Sequence, residues 1–357
     1  MKFIHMADMH LDCPFSSLNQ IEHLGELRRI EQREIFKNII EMIKKENIQA
    51  LFISGDLYEH STVRKSTIDF INSLFQTIPD TRIFIAPGNH DPYIAGSYYA
   101  TYSWSENVHI FTPEIEKIET PEAEIYGYGF DDFYCSQSKV ELLLPEDNSK
   151  LKILVVHGNL DGKKEADNEY NPLSSRKLKQ AGWDYVALGH IHKRSENQEI
   201  PLIYSGSTIS FGFDELGSHG VIFGQTQQKE VKIEFLPFDT REFEQKRIDV
   251  TPFLTQEELI EALCELELTK NHLYKVILEG YRQFEIDVLH LRSFLTNPQI
   301  VKWKDRTKRQ IPIQTFLKEE TLRGIFVRKM VEKMKENPEQ KEQIEKAIEI
   351  GLDSLEG

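Results

Sequence analysis

The chain has 357 residues, of which 39% are hydrophobic and 28% charged, and its formal net charge is −15. This suits one large core with a smaller domain beside it, and no apolar run approaches the roughly 18–20 residues that span a bilayer. So acidic a chain is a poor non-specific binder of nucleic acid, because phosphate contacts need cations; only a locally basic groove or bound metals would reverse that.

Residues 2–5 read as a strand that runs into Asp8-x-His10. Met1-Lys2-Phe3-Ile4-His5 has none of the basic region, long apolar stretch or cleavage site of a signal peptide. Cys13, Cys135 and Cys264 are odd in number and far apart, which points to a reducing compartment without a disulfide framework. The expected location is the cytoplasm, with no membrane segment. Cys13 lies near the first motif, but a free cysteine reads as a small buried residue before it reads as a soft ligand.

Residues 24–45 carry Leu24, Leu27, Ile30, Ile35, Ile39, Met42 and Ile43 at the spacing of an amphipathic helix. A buried strand over 50–54 follows and leads into Gly55-Asp56. A second helix is expected around 67–77, with Ile68, Ile71, Leu74 and Phe75 on one face, closed by Pro79. A third strand, 82–86, runs into Gly88-Asn89-His90-Asp91. Strand–helix–strand alternation predicts a parallel α/β unit. From about residue 108 short strands dominate, at 108–111, 115–119, 124–127, 202–204, 220–223 and 231–235, and these predict a second, mixed or antiparallel sheet packed on the first. Within that region, strands 151–156 and 185–188 end at His157 and at Gly189-His190-x-His192.

A charged stretch near 241–246 marks a boundary. Thr255-Gln256-Glu257-Glu258 has the form of a capping box ahead of a helical stripe at Leu259, Ile260, Leu263 and Leu266. With a strand over 273–278, this predicts a small α+β domain. The tail then shows two helical stripes, Leu322, Ile325, Phe326 and Met330, and Ile344, Ala347, Ile348, Gly351, Leu352 and Leu355. Such a stripe docks either on its own domain or on a partner. The expected segments are 1–240, 241–312 and 313–357.

Five apolar strands thus end at Asp, His or Asn, which places seven ligand candidates on one sheet edge, the usual place for sites in open α/β sheets. They are Asp8, His10, Asp56, Asn89, His157, His190 and His192, with His90 to spare. Two close divalent ions need a bridging carboxylate, and Asp56 has two oxygens to offer. Asp8 and His10 leave a strand on the same side, so they can share an ion. His190 and His192 can serve different ions. Mixed nitrogen and oxygen ligation without thiolate suits Mn²⁺, Fe²⁺ or Zn²⁺ better than Ca²⁺ or Cu⁺. A lone histidine is most often a satisfied surface or core residue, but five polar strand ends in one order are hard to obtain by accident.

The ordered pattern resembles the calcineurin-like metallophosphoesterases. Within them, Ala7-Asp8-Met9-His10-Leu11-Asp12 with Pro14-Phe15, Ser54-Gly55-Asp56-Leu57, Pro87-Gly88-Asn89-His90-Asp91 and Leu188-Gly189-His190-Ile191-His192 look most like SbcD-type DNA repair nucleases, in a YhaO-like branch. The resemblance covers about 1–240. It implies a two-sheet β-sandwich flanked by helices, with two metals at one edge, and the small α+β capping domain and C-terminal helices agree with it loosely. Asp8, His10, Asp56 and His192 would hold one metal, most simply Mn²⁺, and Asp56, Asn89, His157 and His190 the other. A water bridging the ions would be the nucleophile, and His90 would protonate the leaving 3′-oxygen.

Related nucleases often carry a His three residues after the bridging Asp. This chain has Glu59 there, then His60, so either Glu59 orients His90, or His60 does, or the support is absent. Lys163, Lys164, Lys193 and Arg194 lie nearest the metal motifs and are the expected backbone contacts for DNA. Lys302, Lys304, Arg306 and Lys308 around Trp303 read equally as a phosphate-binding face and as a protected edge strand. The leading expectation is a Mn²⁺-dependent DNA nuclease acting in end processing or repair with an SbcC-like ATPase bound through the tail. A nucleotide or small-molecule phosphodiesterase on the same fold is the alternative, and pairing with a second copy is left open.

Overall fold

Parallel strands joined by helices need long crossovers, and the first half of the chain supplies them. The computed structural model describes residues 1–18, 23–140, 143, 145, 150–162, 170–195, 201–227, 229–295 and 299–356. The chain forms two compact units, Met1–Glu244 and Gln245–Gly357.

In the first unit the elements are β1 (Lys2–Met6), α1 (Leu24–Lys45), β2 (Ala50–Ile53), α2 (Lys65–Phe75), β3 (Arg82–Ile85), α3 (Tyr98–Thr101), β4 (Val108–Ile110), β5 (Glu116–Glu119) and β6 (Ala123–Gly127). They continue with β7 (Leu151–His157), β8 (Asn159–Leu160), β9 (Pro172–Leu173), α4 (Ser175–Ala181), β10 (Tyr185–Gly189), β11 (Leu202–Tyr204), β12 (Gly220–Gln227) and β13 (Glu230–Pro237). One sheet has the order β13-β12-β1-β2-β3-β4 and the other β11-β10-β7-β6-β5. Strands β1 to β4 run parallel, as do β11, β10, β7 and β6.

The two sheets form a sandwich. Phe3, Phe52, Phe84, Ile125, Ile153, Val155, Tyr185 and Ile222 are buried together between them. Strand alternation sends the next residues the other way. Leu154, Val156, Val186 and Leu188 therefore join Leu178 of α4 and Trp183 in a second core on the far face of the second sheet. Burial on both faces explains why β7 is apolar without a break.

The strands expected at 108–111, 220–223 and 231–235 belong to the first sheet, not the second. Strand β12 pairs antiparallel with β1, and β13 with β12, while β4 extends β3. The second sheet is mostly parallel, with only β5 antiparallel. A short strand carries the pattern of its faces but not the name of its neighbour, so pairing across 220 residues of sequence was not legible.

Strand β14 (Phe243–Asp249) starts in the last two residues of the first unit and continues into the second, which contains α5 (Gln256–Cys264), β15 (Leu273–Glu279), β16 (Tyr281–Arg282), α6 (Val288–Phe294), β17 (Ile300–Asp305), β18 (Lys308–Arg309), α7 (Ile313–Phe316), α8 (Leu322–Glu336) and α9 (Lys341–Glu356). A three-stranded sheet, β14-β15-β17, packs Val276 and Leu278 on Leu259 and Leu263 of α5. Thr255 caps α5 by accepting from the Glu258 N–H, but the Glu258 carboxylate accepts from Leu254, one residue before the expected partner. Strand β17 is an edge, with Lys302 and Lys304 exposed and Trp303 turned to the core. The tail stripe is covered by its own chain: Ile344, Ile348 and Leu352 of α9 are buried with Val327 of α8. Ile350 and Leu355 remain exposed. Among the described residues, no helix is long and apolar enough to cross a membrane.

One buried ion pair ties α1 to the segment after β13. Arg28 is fully buried; it donates to Asp239 at 2.7 Å, to Glu31 at 2.7 Å and to the Ser210 carbonyl at 2.9 Å. Removing one partner of a buried pair leaves an uncompensated charge, at a cost of roughly 3–5 kcal/mol. Asp239→Asn should fall at the low end of that range, because Glu31 remains. Chemical denaturation followed by tryptophan fluorescence checks this, and an unchanged midpoint would show that the pair is not structural.

Candidate metal centre

Every ligand candidate sits at the carboxyl end of a parallel strand. Asp8 and His10 follow β1, Asp56 follows β2, Asn89 and His90 follow β3, His157 closes β7, and His190 and His192 follow β10. The chain must turn sharply there. Asp8, His10, Asp56 and His190 all adopt positive φ, at 52°, 47°, 54° and 102°. Non-glycine residues rarely do so, and such strain persists where surrounding contacts over-determine it. Two glycines make the close approach feasible. A Cβ on Gly88 would stand 2.3 Å from Asp56 Oδ1, and one on Gly189 would stand 1.8 Å from the Ser54 carbonyl oxygen.

The Asp56 loop is held by buried Asp91. Its carboxylate accepts from the N–H groups of Asp56 at 3.0 Å, Leu57 at 2.7 Å and Gly88 at 2.7 Å, and from the Tyr99 hydroxyl at 2.7 Å. Asp56 Oδ1 in turn accepts from the His90 N–H at 2.8 Å. The other oxygen, Oδ2, lies 3.6 Å from His10 Nε2 and 3.4 Å from His157 Nε2. Asp8 accepts from the His190 N–H through both oxygens, at 3.0 and 3.2 Å.

The hydrogen bonds on the far side of each imidazole decide what its near side can do. His10 Nδ1–H donates to Glu59 Oε1 at 2.8 Å, and His192 Nδ1–H to Glu215 Oε1 at 2.6 Å. With Nδ1 so occupied, each ring turns its Nε2 inward as the atom free to ligate, and these two nitrogens stand 3.2 Å apart. His157 Nδ1–H donates to the Ser54 carbonyl at 2.8 Å, so its Nε2 lone pair faces Asn89 Oδ1 at 2.9 Å and Asp56 Oδ2 at 3.4 Å. His190 Nδ1 lies 3.3 Å from the same Asn89 oxygen. Carboxylate and amide oxygens and ring nitrogens converge here, and only protons or cations between them reconcile such an arrangement. The donor set of nitrogen and oxygen without thiolate fits divalent metals. Asp8, His10 and His192 place ligand atoms within 4.8 Å of one another, as do Asp8, Asp56 and His157, and also His10, Asp56 and His90.

Residues 1–194 match the family model described as calcineurin-like phosphoesterase. The chain belongs to this family. The matched region ends just past His192, so it contains all seven ligand candidates and His90. The chain is also similar to the uncharacterized metallophosphoesterase YhaO of Bacillus subtilis (strain 168), with 29% identity over 265 residues, covering 70% of this chain and 64% of that protein. The chain therefore spans just under two thirds of that relative's length. Calcineurin-like phosphoesterases use a dimetal centre, and the strand ends of this one bring the candidate ligands for it together.

The question left open after Asp56 has a geometric answer in this phosphoesterase. Glu59 accepts from His10 with one oxygen and from His90 Nδ1–H with the other, at 3.0 Å. The His60 ring lies against Phe133, and its backbone N–H donates to the His90 carbonyl. Glu215 was not foreseen. It lies in an irregular segment between Gly212 and Gly217, where nothing in the spacing marks it. Asp91 was visible in the motif, but its role as a loop staple was not. Lys163 and Lys164 lie outside the described residues. Arg194 packs over the Phe235 ring at 4.3 Å, and it lines with Lys193 and His192 a cavity of about 350 Å³.

Environment sets the charges. Burial, helped by the charge of His157, pushes His190 down to about 3, so its ring is neutral and ready to ligate. Burial opposes charge on His192, but the Glu215 hydrogen bond and the Asp8 carboxylate prevail and raise it to about 9. Burial likewise works to raise Asp56, and the charges of His157, His10 and His90 outweigh it and hold Asp56 below the usual carboxylate range. A cation arriving at His192 must displace a proton at any pH below about 9. Metal affinity should therefore rise with pH, by about tenfold per unit for one displaced proton. Calorimetric titration at pH 7.5 in buffers of different ionisation enthalpy should show a proton released, and a heat independent of buffer would contradict this.

Proposed function

We propose that this phosphoesterase is a two-metal-dependent phosphodiesterase that cleaves DNA, acting on ends or single strands with Mn²⁺ as the preferred ion. The observation that carries the reading is the approach of the His10 and His157 Nε2 atoms to Asp56 Oδ2, at 3.6 and 3.4 Å, with His90 held beside them by Glu59. Asp8, His10, Asp56 and His192 would hold one ion, and Asp56, Asn89, His157 and His190 the other. Two divalent ions, when bound, supply polarisation of the phosphoryl group and acidify a water at neutral pH.

His90 has the properties of the acid. Its side chain is 45% exposed, unlike the buried ligand candidates at His10 and His157. The Glu59 hydrogen bond raises it to about 9 against the opposing effect of partial burial. At neutral pH it is an imidazolium. It can stabilise a phosphodiester on arrival and pass a proton to the leaving oxygen as the P–O bond breaks. Glu59 stays ionised: burial works to raise it, but hydrogen bonds from His10 and His90 lower it to about 2.

DNA as the substrate rests on the motif resemblance and on the cationic residues Lys193, Arg194, Lys302 and Lys304. The partner on this reading is an SbcC-like ATPase. Because α9 covers α8 with its regular stripe, the apolar residues available to such a partner are the exposed ones, Leu322 and Ile325 of α8 and Ile350 and Leu355 of α9, and the last two share the terminal helix. Ile350→Lys with Leu355→Lys should abolish capture of the ATPase, and undiminished capture would move the partner surface elsewhere.

His90→Ala should keep its metals by elemental analysis and lose on the order of 10²- to 10⁴-fold in turnover. In the wild type, turnover should fall as pH passes about 9, where His90 loses its proton. Glu59→Gln should move that limb to lower pH. Full activity in His90→Ala would remove His90 from the reaction. With Mn²⁺ added, single-stranded DNA bearing a free end should be cleaved in preference to mononucleotides and cyclic nucleotides; the reverse preference would assign the small-molecule alternative.

A further inference from the structure

The flank of the metal centre beside His190 is aromatic. Phe133 and Tyr134 stand on the segment after β6 with 40% and 53% of their surface exposed. Tyr134 lies 5.9 Å from the Tyr170 ring, and Tyr170 lies 5.0 Å from His190 at a shallow 33°. Phe133 meets the His60 ring at 5.8 Å, and His60 is bonded through its backbone to His90. Of these two chain neighbours, one thus contacts the residue bonded to the candidate acid and the other leads through Tyr170 to a candidate ligand.

This surface is anchored to the centre. Cys135 pairs with Tyr170 as an isolated bridge, and the Asn171 N–H donates to the Cys135 carbonyl at 2.7 Å. Asn171 is fully buried, its side-chain N–H donates to the His157 carbonyl at 2.6 Å, and its Oδ1 accepts from the Tyr128 hydroxyl at 2.9 Å. The segment that carries Phe133 and Tyr134 is therefore fixed to the backbone of a ligand candidate. Exposed rings held in place cost little further entropy when another flat ring stacks on them.

The occupant can be read from charge. Asp131 and Asp132 are exposed on the same segment. Carboxylates there repel a phosphate, whereas an uncharged planar ring tolerates them. A nucleobase joined to the phosphodiester at the metals meets both conditions, and stacking on aromatic side chains recognises any unpaired base through its π-face.

We propose that Phe133 and Tyr134, backed by Tyr170, form a stacking platform for an unpaired nucleobase next to the scissile phosphate. This rests on the phosphodiesterase reading above and sharpens it, since it makes the substrate a nucleic acid strand with an unstacked base at the cut. Bases inside a duplex would need local melting before cleavage, because stacked neighbours cover both of their faces.

The test uses the full chain and a short single-stranded oligonucleotide carrying 2-aminopurine beside one phosphorothioate-protected linkage, with Mn²⁺ present. Stacking should quench the 2-aminopurine, and an abasic residue at that position should weaken binding on the order of tenfold. Phe133→Leu with Tyr134→Leu should remove both the quench and the preference for the base. Phe133→Tyr with Tyr134→Phe keeps the rings and should keep both. Equal affinity of the wild type for the base-bearing and abasic strands would overturn the platform, and so would a quench that survives the leucine pair. The wild-type comparison stands even if the leucine variant fails to fold. Ethyl p-nitrophenyl phosphate, which has no base, separates the two readings: wild-type hydrolysis of it with no base preference in binding sinks the platform alone, and no hydrolysis of it or of DNA sinks the phosphodiesterase.

Discussion

One carboxylate oxygen organises the site. Asp56 Oδ2 faces the Nε2 atoms of His10 and His157, and each of those rings commits its Nδ1–H to an acceptor on the far side. Burial makes this arrangement costly without a cation, because acceptors that face each other in a low dielectric lack the water that would otherwise satisfy them. The rest of the centre follows from keeping that oxygen in place: Asp91 pins its loop, Gly88 lets the neighbouring strand end come close, and the β1 and β10 ends turn through left-handed backbone to bring their own ligands inward.

The supporting carboxylates divide the work. Glu215 fixes the tautomer and orientation of His192, and Glu59 does so for His10 while also gripping His90. Outer partners of this kind tune ligand basicity as well as geometry. Glu59 thereby couples a ring turned to the metals with the ring proposed to face the leaving group, so that their relative position is set by one side chain. The sandwich supplies the rigidity, since its sheets bury a common core and both present the carboxyl ends of parallel strands to the same edge.

Much of this was legible in the chain because it depends on local pattern. Helix α1 falls at 24–45 as its apolar spacing requires, and each candidate ligand lies where an apolar strand stops. What depends on partners far away in sequence was not legible. The placement of β12 and β13 in the first sheet required knowing that residue 5 pairs with residue 222. Glu215 gave no signal because its meaning comes from His192, which it reaches from an irregular turn. The positive φ angles of Asp8, His10, Asp56 and His190 run against residue preference, and sites that break local rules are where sequence reasoning is expected to fail. The stripe of α9 was visible, but whether it faced a partner or α8 could not be read from its spacing.

The central claim is that Asp56 bridges two cations. Anomalous diffraction from crystals grown with Mn²⁺ tests it directly. The account predicts two peaks flanking Asp56, one within coordination distance of Asp8, His10 and His192, the other of Asn89, His157 and His190. A single peak, or peaks that leave Asp56 uncoordinated, would contradict it.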